Sequence, residues 1–300
     1  MRIGTRRSAL ALAQAELVAG LLGGGEIVPI VTSGDRDADG EDKSRWVAEL
    51  EQALLREEVD LAVHSAKDVP GELAEGLSLL GAPPRAAVED VLCGAASLDD
   101  LAPGARVGTS SIRRVAQLRA AREDLEPVAI RGNVDTRLAK LADPDEDLHA
   151  VVLARAGLQR LGRESEIGAV LDPARFVPSP GQGILALEGR SGDAATLAAV
   201  TAIADAETFA CLLAERALAR ELGASCHTPL GAYAMPAGCG CLHIRAWVGL
   251  PDGSTWVADE LLGGFYEPEQ LGRDVARRMD AAGAGEMLRR AEEMAGVGSA

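Results

Sequence analysis

Short apolar runs in this chain alternate with stretches of helical spacing, which is the pattern of an α/β protein. The apolar run 60–65 is typical of a buried strand, and it ends abruptly at Lys67 and Asp68, with Pro70 two residues further on. In open α/β sheets, ligands bind beyond the carboxyl ends of the strands. The pattern therefore predicts that a strand delivers Lys67 and Asp68 into a cleft, although a solvated ion pair before a turn has the same appearance.

The same order of elements occurs twice. Residues 3–8 (Ile-Gly-Thr-Arg-Arg-Ser) and residues 107–111 (Val-Gly-Thr-Ser-Ser) each run from an apolar segment through a Gly-Thr turn into a helical pattern. Ser8 and either Ser110 or Ser111 are suitable N-caps, and the helix starts behind them offer backbone amides to an anion. Two similar α/β domains are predicted, although a generic α/β alternation would give a related pattern.

Segments rich in proline and glycine mark the junctions. Residues 81–85 and 178–183 have the composition of hinges, and the apolar stretch that follows the second one is expected to return to the first domain, which places Gln182 in the cleft. From residue 205 onward, a long helix, a hairpin signal at Pro251-Asp-Gly253 and two further helices follow. We therefore predict two periplasmic-binding-protein-like α/β domains with crossing hinges, formed by residues 1–83 plus 184–204 and by residues 84–183, and a small C-terminal α+β domain formed by residues 205–300.

Composition excludes several classes of protein. The chain has 300 residues, of which 47% are hydrophobic, and no long apolar run; the start of the sequence fits neither a signal peptide nor a membrane anchor. A net charge of −16 argues against nucleic-acid binding, which needs a basic surface. Five cysteines without disulfide-like spacing favour a reducing compartment. We expect a cytoplasmic monomer that binds neither nucleic acid nor membrane.

Arginines are concentrated where strands are predicted to meet helices. Guanidinium groups and helix N-termini together suit carboxylates, so this arrangement indicates a site for a polyanion inside an acidic protein. The chain has only three lysines, Lys43, Lys67 and Lys140, so a general preference for arginine also explains any single position. The arginines in question are Arg6, Arg7, Arg113, Arg114, Arg131, Arg137, Arg155 and Arg160.

Six ordered blocks resemble the porphobilinogen deaminase (hydroxymethylbilane synthase) family over nearly the whole chain. Each block alone is a weak match, but the set in this order is specific. The blocks are 64–70 (HSAKDVP), 108–114 (GTSSIRR), 131–137 (RGNVDTR), 156–162 (AGLQRLG), 180–183 (PGQG) and 224–234 (ASCHTPLGAYA).

The resemblance implies a transferase of tetrapyrrole (haem) biosynthesis. The family deaminates four porphobilinogen molecules and joins them head to tail into hydroxymethylbilane, primed by a covalently bound dipyrromethane. It implies that Cys226 anchors this cofactor by a thioether, and that Asp68 is catalytic with Lys67 beside it. It also implies cofactor and substrate contacts from Arg6, Ser8, Ser65, Ser111, Arg113, Arg114, Arg131, Arg137, Arg160 and Gln182.

The chemistry of these residue types agrees with those roles. Porphobilinogen carries acetate and propionate groups, so a growing chain accumulates carboxylates that several arginines must share. A carboxylate at Asp68 can accept a pyrrole N–H bond, stabilise developing positive charge and move protons. A thiolate at Cys226 is a good nucleophile for attaching the cofactor permanently.

Two departures from the family pattern stand out. The segment 35–46 is shorter, more acidic and poorer in glycine than the family's loop, and Lys43 and Trp46 occupy the places of its lysine and phenylalanine, which makes them tentative lid residues. Ala224 and Ser225 precede Cys226, where the family usually has glycines.

Other functions are alternatives. Cys239, Cys241 and His243 suggest a metal site, but no second pair stands at a zinc spacing, so no metal is expected. A two-lobe carboxylate-binding protein without chemistry would have the same hinged architecture. A deaminase homologue that has lost activity is the nearer alternative, because of the altered lid.

Overall fold

The computed structural model describes residues 1–31, 44–225, 228–238 and 240–294, and the side chains of residues 44–46 are outside this description. The predicted lid residue Lys43 and the predicted anchor Cys226 lie outside the described residues, and of Trp46 only the backbone is described.

The strands are β1 (Arg2–Arg6), β2 (Glu26–Ile30), β3 (Leu61–Ser65), β4 (Leu77–Gly81), β5 (Asp90–Cys93), β6 (Arg106–Gly108), β7 (Glu126–Val128), β8 (Ala150–Ala154), β9 (Ala169–Val170), β10 (Leu185–Arg190), β11 (Leu230–Pro236), β12 (Cys241–Gly249) and β13 (Trp256–Gly264). The α-helices are α1 (Ala9–Leu21), α2 (Ser44–Leu55), α3 (Ile112–Ala121), α4 (Val134–Ala142), α5 (Arg155–Arg160), α6 (Ala194–Thr201), α7 (Ala206–Glu221), α8 (Pro268–Ala281) and α9 (Ala284–Met294).

The first sheet has the strand order β2-β1-β3-β10-β4. Strands β2, β1 and β3 are parallel, while β10 runs antiparallel to both β3 and β4. Ile3 on β1 pairs with Leu61 on β3, and both are fully buried. Because β10 follows the second hinge in sequence, the first sheet is completed by a strand from beyond the second one.

The second sheet repeats this arrangement. Its order is β7-β6-β8-β5-β9, with β7, β6 and β8 parallel and β5 antiparallel to β8 and β9. Strand by strand, β6 corresponds to β1, β8 to β3 and β5 to β10. The predicted pair of similar α/β domains is therefore confirmed, although the exact domain bounds stay a prediction.

The predicted caps explain where two helices begin. The Ser8 hydroxyl accepts a hydrogen bond from the Ala11 amide at 3.2 Å, so α1 begins immediately after the β1 turn. Ser111, rather than Ser110, caps α3, because its hydroxyl accepts from the Arg114 amide, whereas the Ser110 hydroxyl donates to the Ile130 carbonyl. Both helices therefore start at the carboxyl edge of their sheet.

The C-terminal part is a three-stranded antiparallel sheet, β11-β12-β13, covered by α7, α8 and α9. The predicted hairpin joins β12 to β13, and Gly253 in its turn has a φ of +75°, a conformation that glycine adopts without strain. The core of the C-terminal part includes the fully buried residues Leu218, Ile244 and Val275.

A buried ion pair joins the two hinges to this C-terminal part. Arg85, on the first hinge, lies 2.7 Å from Glu215 on α7 and donates to the carbonyl of Gln182 on the second hinge at 2.9 Å. Glu215, which is fully buried, also accepts from the amides of Gly181 and Ala234. The carboxylate is thus fully satisfied, which a buried charge requires.

Within the described part of the chain, no single helix is long and apolar enough to cross a membrane, and one pair, α6 and α7, passes that test together with a bend of 111° between them.

Candidate active site

A cavity lies at the carboxyl ends of β1 and β3, where the sequence predicted a cleft. Arg6 and Ser65 end these two strands, and Asp68 follows in a short 3₁₀ turn, Ala66–Asp68. The cavity is lined by Arg6, Ser8, Leu10, Ala11, Gln14, Val47, Val63, His64, Ser65 and Asp68. The structure thus brings four predicted site residues, Arg6, Ser8, Ser65 and Asp68, to one place.

The turn that carries Lys67 and Asp68 is held from several sides. The Ala66 amide donates to the carbonyl of Ile184 at 3.0 Å. Gly181, with a φ of +74°, approaches so closely that a Cβ there would lie 2.9 Å from the Lys67 nitrogen. After the turn, Arg216 of α7 donates to the carbonyls of Val69, Pro70 and Gly71. The second hinge and the C-terminal part therefore both fix this turn.

A second contact orients Ser65 from α1. Gln14, which is 3% exposed, donates from Nε2 to the Ser65 hydroxyl at 2.8 Å. This bond ties the end of β3 to the helix that begins at Ser8. No motif in the sequence marks Gln14 as a site residue, and the structure adds it to the cavity wall.

Arg113 and Arg114 are buried and bind one carboxylate. Arg113 lies 2.7 Å from Asp90 Oδ2, and Arg114 lies 2.6 Å from Asp90 Oδ1. Burial alone raises the pKa of the Asp90 carboxyl, but the two arginines overcome this and hold the pKa well below its ordinary value. Arg113 also donates to the Val177 carbonyl, and Arg114 to the Val152 carbonyl. In this arrangement both guanidinium groups brace the second domain, and their predicted contacts with ligand stay a prediction.

Gln182 joins the same cluster from the second hinge. It is 1% exposed and donates from Nε2 to Asp90 Oδ1 at 3.0 Å and to the Val88 carbonyl at 2.7 Å. Its Oε1 atom is buried and accepts no hydrogen bond from the described residues. A buried acceptor without a donor is costly, so Oε1 is suited to receive an N–H group from a ligand.

Two predicted arginines are held in surroundings that disfavour their charge. Burial lowers the pKa of Arg160 to about 10, and burial together with the charge of Arg114 lowers the pKa of Arg137 to about 10. Both remain protonated at neutral pH. Arg160 donates to the Gly183 carbonyl and Arg137 to the Gly132 carbonyl, so neither is neutralised by these contacts. An anion bound here would relieve the electrostatic cost.

The remaining arginines of the predicted set lie at the ends of the same elements. Arg131 is exposed in the turn before α4, and Asn133 caps that helix by accepting from the Thr136 amide at 2.9 Å. Arg155 begins α5 and lies 3.3 Å from Glu89. Both turns therefore present arginine beside a helix N-terminus.

The two lobes meet at these helix ends. A Cβ at Gly157 of α5 would lie 3.7 Å from Val134 of α4 and 3.8 Å from Leu10 of α1. Leu10 also lines the cavity that contains Asp68. Both distances are ordinary van der Waals contacts, so the arginine-bearing helices of the second domain lie beside the Asp68 side of the cleft with room for a Cβ at Gly157.

Two of the described cysteines, Cys93 and Cys211, are buried and poor nucleophiles. Burial raises the pKa of the Cys93 thiol to about 11, and burial followed by the charge of Glu215 raises that of Cys211 to about 12. Beside the predicted anchor Cys226, Ser225 and Thr228 bind each other, with the Thr228 hydroxyl donating to the Ser225 carbonyl at 2.7 Å. Among the described residues, no cluster of three metal-ligating side chains occurs.

Sequence reasoning missed the buried acids that organise the site. Asp90, Glu188 and Glu215 are each 0% exposed, and each lies within an apolar strand or on the apolar face of a helix. An acidic residue inside an apolar run was the available signal, because such a residue is almost never buried without a partner. The partners themselves, from distant segments, could not be read from the pattern.

Comparisons with known proteins agree with the family resemblance that the six sequence blocks indicated. A family model described as "Porphobilinogen deaminase, dipyromethane cofactor binding domain" matches residues 1–198, and one described as "Porphobilinogen deaminase, C-terminal domain" matches residues 209–281. A relative from Thermus thermophilus, named porphobilinogen deaminase, is 43% identical over 95% of this chain and 97% of its own. One of the same name from Stenotrophomonas maltophilia is 45% identical over 96% of this chain and 98% of its own.

Among solved structures, the methionine-binding protein MetQ is similar over 68% of this chain and 89% of its own, with 13% identity and a TM-score of 0.44. The two family models together cover most of the chain, and the curated relatives align with it almost from end to end. The chain belongs to the porphobilinogen deaminase family.

Proposed function

We propose that this protein is a hydroxymethylbilane synthase, which deaminates four porphobilinogen molecules and joins them head to tail, and that it acts as a cytoplasmic monomer. The observation that carries the proposal is that Leu10, which lines the Asp68 cavity, and Val134 of α4 both lie close to Gly157 of α5, so that the helices bearing Arg137 and Arg160 lie beside this cavity. Burial lowers the pKa of Arg137 and Arg160 to about 10, yet both stay charged. Such a cleft suits a substrate that bears several carboxylates.

The residues of this chain fit dipyrromethane as a cofactor. Its carboxylates match the guanidinium groups of Arg131 before α4, Arg137 on α4 and Arg160 at the end of α5. Its pyrrole N–H groups match acceptors such as the buried Oε1 of Gln182, which accepts no hydrogen bond from the described residues. Arg131, Arg137, Arg160 and Gln182 would hold it, and Cys226 would anchor it. When bound, dipyrromethane supplies the pyrrole carbon to which the first substrate is joined.

Asp68 is proposed to handle the protons of each addition. Deamination needs a proton on the leaving nitrogen, and coupling releases one from a pyrrole carbon. The Asp68 carboxylate would accept a pyrrole N–H bond and stabilise the positive charge that develops as ammonia leaves. Lys67, in the same turn, would bind an acetate or adjust the charge of Asp68, while Arg6 and Ser8 hold substrate carboxylates at the start of α1.

The intact mass of the purified protein tests the cofactor assignment, with Cys226→Ser as the variant. We expect wild type to carry an added mass equal to two linked pyrrole units, either as purified or after incubation with porphobilinogen, and Cys226→Ser to carry none. The matched control is Cys211→Ser, because Cys211 is buried and burial raises the pKa of its thiol to about 12. If wild type stays unmodified after incubation with porphobilinogen, the proposed function is wrong. The protein would then be a family member without this chemistry, or a carboxylate-binding protein.

Replacement of Asp68 tests the catalytic assignment. Asp68→Asn keeps the size of the side chain but removes its charge, so we expect kcat to fall about 10²- to 10⁴-fold, the usual contribution of a general acid–base group. The unfolding midpoint should stay near that of wild type. Asp124→Asn is the control, because Asp124 forms an exposed ion pair with Arg122. Equal turnover in the two variants would remove Asp68 from the mechanism.

A further inference from the structure

A second pair of titratable groups lies behind the Asp68 cavity. His64, on β3, lines the cavity, and its Nε2 atom lies 2.9 Å from Oε2 of Glu188 on β10. The two residues are 5% and 0% exposed. Neither oxygen of Glu188 accepts a hydrogen bond of good geometry from the described residues. His64 is therefore the basic group within ion-pair distance of this carboxylate in the described part of the chain.

Small side chains on the neighbouring strand positions leave space for this pair in the sheet. His64 pairs with Ala186 and Glu188 pairs with Ala62, so all four side chains lie on the same face and the two alanines leave space for the two polar groups. The pairing of β10 with β4 also slips by one residue between Leu187 and Glu188. Such bulges occur next to active sites, where they re-aim a side chain.

Other charged groups around the pair respond to Glu188. From α2, the pKa of Glu51 is raised by burial and by the charge of Glu188. From α7, burial lowers the pKa of Arg216 to about 10, Arg220 adds to this, and Glu188 opposes it. Arg6 and Asp68 line the same cavity as His64. Arg216 also holds the carbonyls that follow the Asp68 turn, so the pair is connected to that turn from behind.

A purely structural role does not explain the pair. Desolvating an acid and a base is costly, and an apolar pair of the same volume commonly stabilises a fold as well or better. A buried carboxylate next to an imidazole instead favours keeping one proton on the pair. A histidine that faces a cavity on one side and a carboxylate on the other can take a proton from the first and share it with the second.

We propose that His64 and Glu188 share one proton at the wall of the Asp68 cavity and exchange it with that cavity during turnover. This rests on the proposed function. At each addition the C–N bond of the incoming aminomethyl group breaks, a C–C bond forms, and one proton passes from the pyrrole carbon to the released ammonia, with no oxidation or reduction. Because the amine needs its proton before the pyrrole carbon releases one, the pair supplies the first proton through Asp68 and takes up the second, so that it ends each addition as it began. His64 acts through Asp68 and is therefore a positioning residue rather than a catalytic one.

His64→Ala, with rescue by small molecules, tests this role. We expect kcat to fall about tenfold or more with KM nearly unchanged, and added imidazole to restore much of the loss. Pyrazole, which has the same shape but is a far weaker base, should not restore it. Equal rescue by both compounds, or a kcat equal to that of wild type, would overturn the proposal, because either result means that His64 only fills space.

Glu188→Gln and the double variant complete the test. Glu188→Gln keeps the shape of the side chain, so it carries the test even if His64→Ala does not fold, and a wild-type kcat in Glu188→Gln overturns the proposal. If the two residues act as a unit, the double variant loses no more than His64→Ala alone, whereas additive losses contradict a shared proton.

The chain supplies a matched control pair. His243 and Glu260 form a surface pair on β12 and β13 with an Nε2–Oε2 distance of 3.4 Å. His243→Ala and Glu260→Gln should leave kcat unchanged and respond to neither compound. Failure of the wild-type protein to consume porphobilinogen would be a failure of the proposed function, whereas wild-type turnover that survives His64→Ala would be a failure of this inference alone.

Discussion

At the scale of single residues, Asp90 is the side chain on which the second domain depends. It is fully buried and receives bonds from Arg113, Arg114 and Gln182. Breaking a buried ion pair from one side leaves uncompensated charge, which typically costs about 3–5 kcal/mol. Two buried guanidinium groups would lose their partner at once if this carboxylate were removed.

Asp90→Asn should therefore lower the free energy of unfolding by about 3–5 kcal/mol in urea. Asp124→Asn, which removes an exposed partner of Arg122, should cost about 0–1 kcal/mol. Equal losses in the two variants would show that the Asp90 cluster is as weak as a surface pair.

The same carboxyl predicts how stability depends on pH. Because Arg113 and Arg114 hold the pKa of Asp90 below its ordinary value, its contribution is fully present above the unfolded-state pKa of about 4 and is lost as the pH falls through the folded-state pKa. The difference in unfolding free energy between wild type and Asp90→Asn should thus be constant near neutrality and shrink in acid. A difference that instead grows in acid would contradict the assigned direction.

At the scale of elements, the second hinge acts on the Asp68 turn through Gly181. A Cβ at Gly181 would lie 2.9 Å from backbone atoms of Ala66 and Lys67, and φ is +74°. Gly181→Ala must therefore push the turn as well as strain the hinge. We expect a loss of kcat well beyond the loss of stability, measured by turnover and by thermal unfolding of the same samples.

Gly192→Ala is the matched control for that variant. Gly192 has a φ of +90°, but a Cβ there would meet nothing within 4 Å. In both variants the positive φ lowers the free energy of unfolding by about 1–2 kcal/mol. Only Gly181→Ala also disturbs the Asp68 turn. The interpretation fails if the two variants lose kcat to the same extent.

Elements were more readily predicted from the sequence than the contacts between them. Ser8 caps α1, and α7 begins at Ala206, because capping and apolar spacing are local properties. The choice of Ser111 over Ser110 depended on the Ile130 carbonyl, which comes from a different segment. The link between Gln14 and Ser65 likewise joins residues far apart in the chain, so no local pattern contained it.

At the scale of the whole molecule, the two sheets have the same order but are built differently along the chain. Strands β5 to β9 of the second sheet all lie between Asp90 and Val170. The first sheet needs β10, which begins at Leu185, between β3 and β4. The paired Gly-Thr turns predicted the repeat, and the two hinge segments predicted that the apolar stretch after the second hinge returns to the first domain. The position of that stretch between β3 and β4 depends on long-range pairing that no local pattern contains.

This difference predicts how fragments behave. A fragment of residues 84–183 should fold alone, with a cooperative urea transition, because it contains every strand of its sheet. A fragment of residues 1–83 should not, since β3 and β4 lack the strand that joins them, and adding a peptide of residues 184–204 should restore order. Circular dichroism and urea titration of the three samples test this, and cooperative folding of 1–83 alone would contradict the predicted domain bounds.

The position of β10 also sets the order of events while the chain is being made. A ribosome delivers about 5–20 residues per second, and domains usually fold in the order in which they emerge. Here the lobe that begins the protein is completed after the lobe that interrupts it, because β10 emerges later than β9. Until β10 emerges, β3 and β4 have unpaired strand edges that are exposed to other proteins. A translational pause after β9 and before β10 would therefore leave a finished second lobe beside an unfinished first lobe that is prone to aggregation.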